Sequence, residues 1–241
     1  TRPRSPMTLP LHDFLDHAGL NRLHVFNVAA LPQDVLKPLA PSTEETQLIL
    51  FGHAGRRLWE RVQAQRGDEA HPIDDYSVRT VRQWLAQAVP QAQARFVYPV
   101  GMPPGKHVGL QRLGQLAGWH HASPFMVGVD AQWGSWFAYR AAILTDTHLP
   151  VSETMDSGDP CANCTDKPCI QGCLGQALTQ GTMDFQACLS QRLQPGSACA
   201  LGCPARLSCP VGIEHRYETS QIEHAARLSL AAIRRYAQTP R

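Results

Sequence analysis

Trp133-Gly134-Ser135-Trp136-Phe137-Ala138-Tyr139-Arg140-Ala141-Ala142-Ile143-Leu144-Thr145 is the stretch that decides the fold. Its density of aromatic and branched side chains suits a pleated, buried surface, so Trp136 to Thr145 is predicted as a strand. Phe125 to Val129 has the same character, and the two together predict a hairpin turned through Asp130–Gly134. Working outward, Glu45 to Phe51, with Leu48-Ile49-Leu50-Phe51, reads as a buried strand stopped by Gly52. Arg95 to Tyr98 reads as a short strand ended by Pro99. Helical spacing marks Leu11 to Ala18, Gly55 to Gln65 (Leu58, Trp59 and Val62 on one face) and the run Val78, Val81, Leu85, Val89 up to Pro90. Leu110, Leu113 and Ala117 suit a helix closed by Gly118, and Glu214 to Tyr236 a closing amphipathic helix with Ile222, Ala226, Leu230 and Ile233 inward. Helices and strands mixed around one sheet make α+β the expected class. Residues 1–10 read as an irregular arm and Thr147 to Pro160 as a linker.

The chain has 241 residues, 43% of them hydrophobic and 17% charged, with a net charge of +2. This is a globular composition, and it excludes collagen, coiled coil and disordered tail. No apolar run approaches the ~18–20 residues of a membrane helix, and residues 1–10 hold no apolar core of the signal-peptide kind. No excess of positive charge commits the chain to nucleic acid.

All eight cysteines lie between Cys161 and Cys209. A disulfide framework for a whole fold would spread its staples along the chain, so these serve a local purpose in the last third. The first group is Cys161-Ala-Asn-Cys164-Thr-Asp-Lys-Pro-Cys169-Ile-Gln-Gly-Cys173; the second is Cys188, Cys199-Ala-Leu-Gly-Cys203 and Cys209-Pro210. In two-cluster ferredoxins three close cysteines wrap one cubane and the fourth ligates the other. Applied here, Cys161, Cys164 and Cys169 take Cys209 as cluster 1, and Cys188, Cys199 and Cys203 take Cys173 as cluster 2. All eight are consumed. Three features depart from that pattern: four residues separate Cys164 from Cys169, Leu174 follows Cys173, and the second group is loosely spaced. Zinc and disulfides are the competing readings; only Cys161/Cys164 forms the C-x2-C pair that four-thiolate zinc sites repeat. Two [4Fe–4S] clusters imply a reducing compartment, hence the cytoplasm.

From Tyr76 to Val129 the chain has no Asp or Glu but carries Arg79, Arg82, Arg95, Lys106 and Arg112, with His107, His120 and His121. Such a stretch either lines solvated helix faces or greets an anionic ligand. In His120-His121 the two rings point to opposite sides if the chain is extended, so one at most faces a pocket. Trp133 to Tyr139 is either core or an apolar wall beside Arg140 that suits a flat aromatic or macrocyclic ligand.

Gly118 to Asp146, followed by the cysteine module, resembles the epoxyqueuosine reductase and reductive dehalogenase group. Leu48–Phe51, His71-Pro72-Ile73-Asp74 and above all Gly134-Ser135-Trp136-Phe137-Ala138-Tyr139-Arg140-Ala141 look like the CblC cobalamin-processing proteins, which carry a G-x-W-F-A-x-R-G segment. Ala141 stands where that segment ends in glycine. The resemblance implies a flavin-nitroreductase-like sheet flanked by helices that binds cobalamin (1–150), a ferredoxin-like module with two [4Fe–4S] clusters (151–213) and a closing helix (214–241). It implies His120, His121, Ser123, Trp136 and Arg140 as the cobalamin-binding residues. The implied activity is reduction of cobalamin, cob(III) or cob(II), with loss of the upper axial ligand. Electrons would come from a soluble low-potential donor of the ferredoxin or flavodoxin type, with no membrane or nucleic-acid partner.

Epoxyqueuosine reductases carry a catalytic aspartate in a V-D-S-like segment, and the comparable Phe96-Val97-Tyr98-Pro99-Val100-Gly101 has no acid. Three alternatives follow: a cobalamin-dependent reductase of an organic substrate, with Tyr98 or a histidine as proton donor; a two-cluster electron carrier; and a flavin-bound nitroreductase-like protein.

Overall fold

Four strands form one antiparallel sheet: β1 (Arg22–Asn27), β2 (Gln47–Ala54), β3 (Ala94–Tyr98) and β4 (Phe137–Thr145), in the order β1-β2-β4-β3. The structure, a computed structural model, describes residues 12–238 except 66, 68 and 156. The expected arm at 1–10 lies outside the described residues. The chain divides into two compact units, one of Thr1–Gly118 and Phe137–Met155, the other of Trp119–Trp136 and Asp156–Arg241. Residues 119–136, assigned above to the N-terminal domain, therefore cluster with the cysteine region.

In the first unit β2 is buried along its whole length because both of its edges are paired and both faces are covered. Gly52 does not stop it. The register runs from Phe51↔Ala141 to Gly52↔Tyr139, leaving Arg140 as the extra residue of a bulge. A second bulge leaves Val97 extra between Phe96↔Ile143 and Tyr98↔Ala142. Helices α3 (Arg57–Ala64) and α4 (Pro72–Ala88) bury Leu58, Trp59 and Val62, and Tyr76, Val81 and Trp84. Helix α4 opens with Pro72 at its first turn and Asp74 and Asp75 behind it, which fits the free N–H groups and positive dipole end there. Phe51 and Trp84 meet edge to face, centroids 5.5 Å apart, at the centre of this core. Strand β1, α1 (His12–His17), α2 (Gln33–Leu39) and α5 (Leu110–Leu116) complete the unit. Neither β1 nor α2 was expected from the sequence.

The predicted hairpin does not form. Both edges of β4 are taken by β2 and β3, so Phe125–Val129 has no strand to join. It is held by isolated bridges, His121↔Val129 and Asp130↔Gly134, and Asp130 Oδ1 accepts from the Gln132 and Trp133 amides at 2.8 and 2.9 Å. Phe125 and Val129 instead enter the core of the second unit, with Cys169, Leu178, Ala205 and Cys209. That unit contains α6 (Pro168–Gln171), α7 (Phe185–Leu193), α8 (Pro204–Leu207) and α9 (Thr219–Gln238). The closing helix starts at Thr219 rather than Glu214, after a 3-10 turn at Ile213–His215. Leu230 is buried on it, with Ile222, Ala226 and Ile233 half-buried beside it. No helix among the described residues is long and apolar enough to cross a membrane.

The first unit should be acid-sensitive through His24 on β1. The residue is 4% exposed, its ring lies tilted against Phe26 with centroids 4.3 Å apart, and burial pulls its pKa down from 6.5 to about 4. Between those values the unfolded chain binds a proton that the folded one refuses, so stability falls as pH drops below 6.5. At about pH 5 the expected loss is about 2 kcal/mol. Denaturant midpoints at pH 7.5 and 5 should show a smaller difference in His24→Gln than in the parent chain; an equal difference refutes the assignment.

Candidate functional site

Every cysteine is a free thiol, and all eight lie in the second unit. Helices α6 and α8 pack on one another, and their ends meet where Gly172 lies against Ser208, leaving no room for a Cβ at Gly172. Cys169 lies on α6 with Cys173 just past its end; Cys203 precedes α8 with Cys209 just past its end. Each helix of the pair thus carries cysteines of its own sequence group toward the other group.

The electrostatics of the thiols follows from their neighbours. Burial raises the Cys161 thiol to about 11, helped by Asp159 and Cys209, opposed by Lys167 and helped again by Cys169. Burial also raises Cys169, with Cys209 and Cys164 adding to it. Cys188 is raised by burial and then by Cys203, Cys173 and Cys199; Cys199 is raised by burial and by Cys203 and Cys173. None of these interactions runs from one set to the other. Among the thiols, only Cys164, Cys169 and Cys209 act on Cys161 and Cys169, and only Cys173, Cys199 and Cys203 act on Cys188 and Cys199.

The second set opens on a cavity of about 310 Å3, walled by Phe125, Val127, Trp136, Leu178 and Met183 and by the guanidinium-bearing Arg192 and Arg206. Among the described residues no three His, Cys, Asp or Glu converge as ligands of a single ion. Thiolates at the corners of a cubane stand wider apart than those around one tetrahedral ion, so two sets of four free thiols are compatible with two clusters. The two arginines were not singled out from the sequence. One signal was there: Arg192 follows Cys188 by four residues on α7, hence on the same side.

The residues proposed for cobalamin are divided. His120, His121, Ser123 and Trp136 belong to the second unit and Arg140 to the first. Trp136 is fully buried, with Arg206 4.3 Å over its ring and Tyr217 edge-on at 5.4 Å, so it is packed as core where it meets the cavity and is not an exposed surface. The Ser123 hydroxyl donates to the Val127 carbonyl at 2.5 Å and holds a turn. His120 is buried with its ring against Gly128; burial and then His121 lower its pKa. His121 is half-buried.

In the first unit the bulge turns Arg140 toward polar partners. Its Nε donates to His53 Nδ1 at 3.0 Å, and its Nη1 lies 3.9 Å from Asp74 Oδ1. Tyr98 feels both Arg140 and Asp74, and burial keeps its pKa above the ordinary phenol value. Beside this group is a groove of about 850 Å3 lined by His71, Asp74, Asp75, Arg79, Arg82 and Pro99, among others. The carboxylate-free stretch does not make an unbroken positive field. Glu45 pairs with Arg95 at 2.8 Å and Asp34 with Arg112 at 3.2 Å, because folding lays earlier segments beside it.

The fold resembles solved structures at low identity. An epoxyqueuosine reductase from Streptococcus thermophilus matches 83% of this chain at 10% identity and a TM-score of 0.51, and this chain spans 65% of its length. The C. elegans B12-trafficking protein CblC matches 90% of this chain and 89% of its own at 14% identity and a TM-score of 0.53. A catabolic reductive dehalogenase matches 90% of this chain and 33% of its own at 14% identity and a TM-score of 0.51. At these identities the likeness is one of fold. No protein-family model and no curated protein matches the sequence.

Proposed function

We propose that the chain is an iron–sulfur redox protein that reduces a bound cobalamin with loss of its upper axial ligand. What supports this reading is eight free thiols gathered in one compact unit, four of them lining one cavity, in a chain whose fold is like that of a B12-trafficking protein along nearly its whole length. When bound, the two [4Fe–4S] clusters would supply one-electron transfer from a soluble low-potential donor of the ferredoxin or flavodoxin type. The chain's own work is to hold and shield them. Cys161, Cys164, Cys169 and Cys209 hold the first cluster, and Cys173, Cys188, Cys199 and Cys203 the second. Phe125, Val129 and Leu178 wall the thiols with apolar side chains. His120, His121, Ser123, Trp136 and Arg140 remain the residues proposed for the corrin. Since Ser123 and Trp136 make internal contacts, their proposed part is to shape the site.

Anaerobic purification, iron and sulfide analysis, and an absorption titration with hydroxocobalamin test the proposal. About eight iron atoms per chain and a shifted corrin spectrum are expected. Zinc in place of iron, or an unshifted spectrum, overturns it.

The group formed by Tyr98, Asp74, Arg140 and His53 beside the groove favours one second reading, reduction of an organic substrate with Tyr98 donating the proton. Turnover of an epoxyqueuosine-like nucleoside with reduced methyl viologen, lost in Tyr98→Phe, would select it.

A further inference from the structure

We propose that Arg192 and Arg206 are the internal counter-charge of the cluster held by Cys173, Cys188, Cys199 and Cys203, and that they set its reduction potential above that of the other cluster. The inference rests on the cluster assignment above. It gives the relay a direction, from the Cys161 set to the Cys173 set.

Arg206 lies on α8 and reaches the cavity that the second thiol set lines. Its Nε donates to Ser135 Oγ at 3.0 Å and its Nη2 to the Ser135 carbonyl at 2.5 Å. The guanidinium stacks 4.3 Å over Trp136 and 5.3 Å over Tyr217. All of these partners are neutral. Burial opposes its charge, and the groups that favour the charge are Tyr217 and Cys203, with no carboxylate among them. A cation withdrawn from water without an anion is costly.

Arg192 repeats the pattern. It donates to the Cys199 carbonyl at 3.2 Å, to Ser229 Oγ at 2.9 Å and to the Ala226 carbonyl at 3.3 Å, and its charge acts on Cys188 and Cys199. Trp136, on the wall of the same cavity, buries an indole Nε1–H with no acceptor among the described residues. Two cations and one unused donor therefore surround a space walled by four thiols. An anionic thiolate–sulfide cubane satisfies all three. Around the first set Lys167 is offset by Asp159, the two acting on Cys161 with opposite sign.

With both clusters bound, the Cys173 set would take one electron from the Cys161 set, which the soluble donor would refill; no proton would move, and Arg192 and Arg206 would stabilise the added negative charge. Net charge and hydrogen bonds to sulfur are the levers that set such potentials.

The test is a redox titration followed by electron paramagnetic resonance on anaerobically purified protein, comparing the parent chain with Arg206→Gln, Arg206→Lys and Arg192→Gln. Cys209→Ser, which retains only the second cluster, identifies its signal. Arg206→Gln should lower that cluster's potential by at least about 59 mV, a tenfold change in its one-electron equilibrium, and leave the other in place. Arg206→Lys should stay near the parent value, and Arg192→Gln should shift the same signal. An unchanged potential with full iron content, or equal shifts of both clusters, overturns this inference and leaves the cluster assignment standing. A parent chain without iron overturns both. If Arg206→Gln does not load the second cluster, loading restored by Arg206→Lys supports the charge role, and failure of both variants overturns it.

Discussion

Cys209→Ser is expected to remove one cluster and leave the other, lowering iron from about eight to about four atoms per chain. Cys209 is 7% exposed and sits in the apolar core of the second unit with Phe125, Val129 and Ala205. It lies forty-odd residues from Cys164 and Cys169 in sequence, yet it raises the pKa of both Cys161 and Cys169. A serine keeps the volume but supplies an alcohol that stays protonated, a poor ligand for iron. Because Cys173 and the Cys188–Cys203 ligands are untouched, their cluster should persist with its own spectrum. Iron and sulfide analysis with paramagnetic resonance reads the result. Full iron content would mean that Cys209 is no ligand. Loss of the other cluster's signal instead would mean that the thiols are partnered differently.

Gly134→Ala is expected to cost the second unit about 2–5 kcal/mol, from about 1–2 for a Cβ in the left-handed region and about 1–3 for overpacking. Gly134 has φ +58, and a Cβ there would stand 2.0 Å from the Val211 carbonyl oxygen. Backbone cannot swing aside as a flexible side chain can. Gly212 approaches from the other side, its own Cβ position 2.5 Å from the Gly134 nitrogen. Gly196 supplies the control. It has φ +71 with nothing within 4 Å of its Cβ position, so Gly196→Ala should cost only the conformational part. Denaturant midpoints and iron content separate the two variants. Equal losses would show that the approach of 134 to 211–212 carries no weight. The glycine that opens the CblC-like segment is therefore explained by packing rather than by a ligand.

Much of the first unit was legible because its strands and helices bury continuous or periodic apolar faces. Leu48–Phe51, Arg95–Tyr98, Leu58/Trp59/Val62 and Val78/Val81 were all assigned to the right element type. Strand β1 escaped because Arg22-Leu23-His24-Val25-Phe26-Asn27 mixes polar and apolar residues, and it is a strand only because β2 offers it an edge. The false hairpin had the reverse cause. Phe125–Val129 is apolar because it enters the core of the cysteine unit, and local pattern cannot distinguish that destination from a sheet. The cation-rich stretch misled in the same way, since Glu45 and Asp34 reach Arg95 and Arg112 from elsewhere in the chain.

What the amino-acid order determined alone is the chemistry available: eight thiols confined to one region, a strand of aromatic residues running into Arg140, and an α+β pattern. These are properties of residue type and short spacing, which need no fold to be read. Which groups meet is settled by long-range packing. The meeting of α6 and α8 brings cysteines of the two sequence groups together, the bulge in β4 turns Arg140 to His53 and Asp74, and one cavity is lined by four cysteines and two arginines. Those contacts join residues far apart along the backbone, and the packing of buried surfaces, not local conformational preference, brings them together.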